Sequence, residues 1–66
     1  MFVVIELQKM SDEQIANLVF IYQTRDEAEN KYHAILAAAA ISSLPVHAAV
    51  MLEENGVLIK NEWYTH

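Results

Sequence analysis

Apolar and polar positions alternate along Phe2–Gln8, with Val3, Ile5 and Leu7 on one side and Glu6 and Gln8 on the other. Alternation of β-branched and aromatic residues at period two predicts a strand. Lys9–Gln14 is polar and predicts a loop. Ile15–Gln23 is apolar on both sides, which predicts a second strand buried on two faces or lying at an interface. The loop makes an antiparallel hairpin the simplest connection between the two.

The pattern then changes period. Ala28, Tyr32, Ile35, Leu36 and Ala39 fall on one stripe at about 100° per residue, predicting a helix from Arg25 to Ile41. Thr24 can cap the free N–H of Glu27, and Glu27 can reach back to the N–H of Thr24. Ser42 and Ser43 fray the end, and Leu44 is pushed to extended geometry by Pro45. Val46–Glu53 and Val57–Thr65 read as two further strands around Glu54–Val57. Asn55-Gly56 signals a type I′ turn, which pairs Glu54 with Val57. That register sets Leu52 against Ile59, Val50 against Asn61, Ala48 against Trp63 and Val46 against Thr65. The other side pairs His47 with Tyr64, Ala49 with Glu62, Met51 with Lys60 and Glu53 with Leu58. The first set is the more apolar and is expected to face the helix. The expectation is an α+β fold, β-β-α-β-β, in which a four-stranded antiparallel sheet carries one helix on one face. It forms one domain over residues 1–66.

A surface helix places charge opposite its buried stripe. Here that side holds Ala34, Ala37, Ala38 and Ile41, and no charged residue follows Lys31 in the helix. Alanine is the best helix former and tolerates water, which accounts for one or two of them. The presence of Ile41 points further, to a face packed on another copy of the chain. Composition agrees. At 66 residues the chain is marginal alone, and 55% of it is hydrophobic. It has no cysteine, so an oligomer is the expected source of extra stability.

Four Lys and Arg stand against nine Asp and Glu, for a net charge of −5. A nucleic-acid backbone requires a basic face, so extended DNA or RNA is not an expected partner. No signal-peptide pattern or membrane-spanning run is read, and a cytoplasmic location is expected. His33, His47 and His66 match no zinc spacing, and no metal or other cofactor is expected. The acidic pairs Asp12-Glu13, Asp26-Glu27 and Glu53-Glu54 look like loop, capping and turn charges. No nucleophile–base constellation stands out, so catalysis is not expected, and a histidine-dependent hydrolase is the weaker alternative.

A binding role fits better. Arg25 lies at the helix N-terminus, where N–H groups favour anions. Ser42, Ser43 and His47 cluster after the helix, with His33 on it and Tyr64 opposite His47. These six are the candidate ligand-binding residues. Each also has a plain structural use, such as Arg25 pairing with Glu29.

Lys31-Tyr32-His33, the alanine run Ala37–Ala40, Ser42-Ser43-Leu44-Pro45-Val46-His47 and the tail Trp63-Tyr64 form one pattern. It resembles small uncharacterised proteins encoded by phages and mobile elements of gut bacteria. The resemblance covers nearly two thirds of the chain and implies a phage-like context, in the cytoplasm of a host bacterium. By analogy it implies a homo-oligomeric, non-enzymatic protein that sequesters a small anionic nucleotide signal of host antiphage immunity. The alternative is a protein-interaction module that binds a host protein or serves as a virion or assembly accessory.

Overall fold

A computed structural model describes all of residues 1–66. Its elements are β1 (Phe2–Lys9), β2 (Ile15–Tyr22), α1 (Arg25–Ala40), β3 (Val46–Glu53) and β4 (Leu58–Thr65). The sheet order is β2-β1-β3-β4, with every neighbouring pair antiparallel. α1 lies across one face and rests mainly on the two central strands, β3 and β1. The α+β class and the element order are those the residue pattern predicts. Each hairpin contributes one central and one edge strand, and β1 and β3 zip the two hairpins together.

α1 starts where Thr24 accepts the N–H of Glu27 at 3.3 Å. The reciprocal bond differs from expectation. The Thr24 hydroxyl donates to Glu27 Oε1 at 2.8 Å, so the carboxylate takes the side chain and not the backbone N–H. Asp26 and Glu27 complement the positive helix end. Ile41 closes the helix, one residue earlier than expected, with its N–H on the carbonyls of Ala38 and Ala39. No membrane-spanning helix is present, since α1 is neither long nor apolar enough.

Both hairpins use one turn. In the first, Met10 N–H donates to the Gln14 carbonyl, Glu13 N–H to the Met10 carbonyl, and Gln14 N–H to Asp12 Oδ1. In the second, Glu53 N–H donates to the Val57 carbonyl, Gly56 N–H to the Glu53 carbonyl, and Val57 N–H to Asn55 Oδ1. Each is a three-residue loop whose last residue is left-handed: Glu13 at φ 69° and Gly56 at φ 89°. The type I′ turn expected at Asn55-Gly56 is therefore corrected, because Asn55 does not take positive φ. The longer loop moves the pairing by one residue, so Leu58 meets Leu52. A bulge between Met51 and Leu52 moves it back. From Met51 onward the pairs are those expected: Lys60, Asn61, Glu62, Trp63, Tyr64 and Thr65 meet Met51 down to Val46.

The choice of face is also corrected. The side under α1 carries His47, Ala49 and Met51 of β3, not Val46, Ala48, Val50 and Leu52. The core is Val4, Ala28, Tyr32, Ile35, Ala49 and Met51, edged by Phe2, Phe20, Tyr22, Leu36 and Ile59. Tyr32 explains the choice. Its ring is fully buried beside the small Ala49, and its hydroxyl donates to Glu62, the cross-strand partner of Ala49, at 3.3 Å. Lys60, the partner of Met51, reaches Glu29 of α1 at 2.5 Å. A face of small and polar residues fits a helix whose central knob is a tyrosine. A face of Val and Leu leaves that hydroxyl unpaired, which costs about 1–3 kcal/mol.

The shared turn makes a prediction. A side chain at positive φ costs about 1–2 kcal/mol, part of which glycine returns through its freer unfolded state. Glu13→Gly should therefore stabilise by about 0.5–1 kcal/mol. Gly56→Ala should destabilise by about 1 kcal/mol, though the new methyl meets nothing within 4 Å. Urea midpoints check both, and a loss of stability in Glu13→Gly would refute the shared strain.

Candidate functional site

The six candidate ligand residues lie in separate places. Arg25 and His33 flank Glu29 on α1, with Arg25 Nε at 3.4 Å and His33 Nε2 at 3.2 Å from its carboxylate. Lys60 also reaches Glu29, and its hydrogen bond holds that carboxyl below the usual range. Ser42 and Ser43 lie beyond the other end of the helix. At about 1.5 Å per residue, the length of α1 puts Arg25 roughly 25 Å from them. Ser42 is engaged locally, its Oγ accepting from the N–H of Leu44 at 3.1 Å. His47 and Tyr64 do meet across β3 and β4, as expected. The structure thus brings together Arg25 with His33, and His47 with Tyr64, but not the six in one pocket.

His47 is the one buried polar residue, 4% exposed, under the C-terminal half of α1. Its Nε2 lies 2.6 Å from Glu6 Oε2, which also accepts the Gln8 amide at 3.2 Å. Opposite a carboxylate, which only accepts, Nε2 is the donor of this pair. Nδ1 is buried and has no partner. A carboxylate-oriented imidazole is half of a general-base device. Its free nitrogen has no substrate space before it, since neither of the two surface depressions is lined by His47. One depression lies along Asn61–Tyr64 of β4, the other at Met1, Phe2 and Glu53–Asn55. Sequence reasoning missed Glu6 because the pairing of β1 with β3 was not foreseen. That pairing sets Gln8 opposite His47 and Glu6 opposite Ala49. The one available signal was parity: Glu6 is the only charge within Phe2–Gln8.

His66 was also missed. Its Nε2 lies 2.9 Å from the Ala39 carbonyl in the last turn of α1, and its ring stacks on Tyr64 at 6.4 Å. All three histidines therefore have structural contacts: His33 with Glu29, His47 with Glu6 and His66 with the Ala39 carbonyl.

The expected contact stripe, Ala34, Ala37, Ala38 and Ile41, is exposed, with Ile41 89% accessible. A larger apolar surface lies on the other side of the molecule. Alternation places Val3, Ile5 and Leu7 of β1, Ile15, Val19 and Ile21 of β2, Val46–Leu52 at even positions of β3, and Trp63 of β4 on the uncovered face. No element packs there. Ile21 is 62% and Trp63 60% exposed. All nine Asp and Glu lie off this face, which holds only Lys9, Asn17, Asn61 and Thr65 as polar residues along its strands.

No family model, curated protein or solved structure matches the chain.

Two predictions follow from the helix-side polar groups. His47→Ala removes packing and leaves Glu6 without its imidazole, and should cost about 2–4 kcal/mol. Glu6→Gln keeps an acceptor for Nε2 and should cost about 1 kcal/mol. Urea midpoints at one protein concentration test this, and equal losses would sink the paired reading. Separately, burial and the Glu62 charge push the Tyr32 phenol from 10.0 up to about 12. The folded state holds that proton more tightly, so this stabilisation is complete below the unfolded value of 10.0 and is lost as pH rises towards about 12. Tyr32→Phe should lose less stability than wild type between these limits, read as the difference in urea midpoints.

Proposed function

We propose that the chain is a non-enzymatic interaction module that works as an assembly of its own copies, with the bare sheet face packed on the same face of a second copy. The observation that carries this is the continuous apolar face opposite α1. Exposed apolar patches beyond a few hundred Å² mark interaction sites. Strands of eight residues span about 27 Å, and four of them about 19 Å, a footprint of about 500 Å² per copy. Two such faces bury about 1,000 Å², the area a specific interface needs.

Charge selects the occupant. Two copies each carry −5, yet the face brings no carboxylate to the contact. Twisted antiparallel sheets stack at about −30° with interdigitated side chains, which these branched residues suit. The alanine stripe offers mostly single methyl groups and is the smaller surface. The phage-like context implied by the Lys31–Tyr64 pattern belongs to this proposal as an assembly accessory or host-binding module. Sequestration of a nucleotide would need the separated candidate residues to converge across copies.

Sedimentation velocity at micromolar concentration tests the reading. Val50 is central on the bare face, so Val50→Lys should at least halve the particle mass while leaving the circular dichroism unchanged. Ala38→Glu should leave the mass as it is. A Val50→Lys protein of wild-type mass would overturn the proposal. Dissociation by Ala38→Glu alone would move the interface to the helix, and flotation of wild type with neutral vesicles would give the face to lipid.

A further inference from the structure

The two edges of the sheet are built differently. β4 is a guarded edge. It carries a bulge near its start, and its two charged residues, Lys60 and Glu62, are bonded to Glu29 and Tyr32 of α1. Charges and bulges are the usual means of stopping edge-to-edge pairing. β2 has neither. Ile15–Tyr22 contains no charge, glycine or proline, and all eight of its residues keep regular register with β1. Its outer row of N–H and C=O groups faces no other strand. Leu18, on the helix side of the sheet but beyond the helix, is 51% exposed.

We infer that β2 is a second self-association site, at which β2 of one copy pairs antiparallel with β2 of another. The sequence of β2 fits itself. A twofold axis perpendicular to the sheet, passing at Leu18 or at Val19, keeps even-numbered residues on the helix side of both copies. Ile15, Val19 and Ile21 of each copy then stay on the bare side. No charge meets a like charge in either register, because β2 has none. A foreign peptide would have to match an apolar row on both sides of the strand, and β2 supplies one.

The product is an eight-stranded sheet in the order β4-β3-β1-β2-β2-β1-β3-β4, with both helices on one side and the bare face doubled. Edge pairing stands without the face packing proposed above. With their twofold axes crossing, the two contacts together close into a tetramer of dihedral symmetry, and that conclusion alone rests on both.

Leu18→Lys tests the edge, because it sets two ammonium groups directly opposite each other in the Leu18 register and about 7–8 Å apart on the diagonal in the Val19 register, and it leaves the bare face unaltered. Wild type should sediment as a tetramer, Leu18→Lys as a dimer, Val50→Lys as a dimer, and the double variant as a monomer. Leu18→Lys of wild-type mass overturns edge pairing, whatever Val50→Lys does. Val50→Lys of wild-type mass overturns face packing and leaves the edge standing. A wild-type dimer that Leu18→Lys makes monomeric keeps the edge and loses the face. A monomeric wild type overturns both. If Leu18→Lys fails to fold, hydrogen exchange of wild type decides. Slow exchange at the β2 amides that are not bonded to β1 supports the pairing, and fast exchange there overturns it.

Discussion

A single helix of sixteen residues must serve a sheet of four strands. A helix is about 10 Å across, while four strands span about 19 Å. α1 can therefore close only the middle of one face. Everything else in the structure follows from that limit. The central strands β1 and β3 are buried under the helix, the edge strands are half covered, and the opposite face has nothing on it. Only eight of 66 residues are buried, so the chain spends much of its apolar composition outside its own core.

Within that limit the helix takes the face it can satisfy. Tyr32 brings a hydroxyl into the centre of the contact, and Glu29 brings a carboxylate to its margin. Both need partners, and β4 supplies Glu62 and Lys60 from the face shared with Ala49 and Met51. His47 and Glu6 satisfy each other at the other end. The helix side is thus a small apolar centre ringed by paired polar groups. The side left over is the more hydrophobic one. This inverts the usual sorting of a monomeric domain, where the more apolar face of a half-covered sheet is the one hidden.

Local patterns were readable because they depend on neighbours in the chain. The alternation in Phe2–Gln8, the stripe from Ala28 to Ala39 and the Thr24 cap each specify structure over a few residues. The register of β3 on β4 was legible for a less direct reason. The turn at Glu54–Gly56 is one residue longer than a type I′ turn, and the bulge at Ile59 cancels the difference. What lay beyond reach was long-range. Apolar content favoured Val46, Ala48, Val50 and Leu52 as core, and no local rule says that a tyrosine hydroxyl and a lysine outweigh it. The Glu6–His47 pair was hidden for the same reason, since it depends on β1 lying beside β3. The candidate ligand residues were gathered by type, and the length of α1 holds Arg25 roughly 25 Å from Ser42 and Ser43.

The bare face bears on stability as well as on partners. A chain of this size hides only about 60% of its unfolded surface, which leaves a narrow margin. The proposed covering of the open face by a second copy would remove Ile21, Val19 and Trp63 from water and add to folding without changing the single chain. Stability would then depend on concentration, because association and folding share one free energy. It also relaxes the demand on the helix. In the proposed pairing α1 need not be amphipathic in the ordinary sense, since a second copy would close the sheet's remaining apolar surface from the other side. The alanines on its outer face are then free to do what alanine does best, which is to hold a helix together while offering water little to object to. On this view the two-sided apolar character of β2 and the exposed alanine run have different causes. β2 is apolar on both sides because it lies at the junction of a covered face, a bare face and an unguarded edge, and the alanine run is the plain outer wall of a helix already anchored by Tyr32 and Ile35.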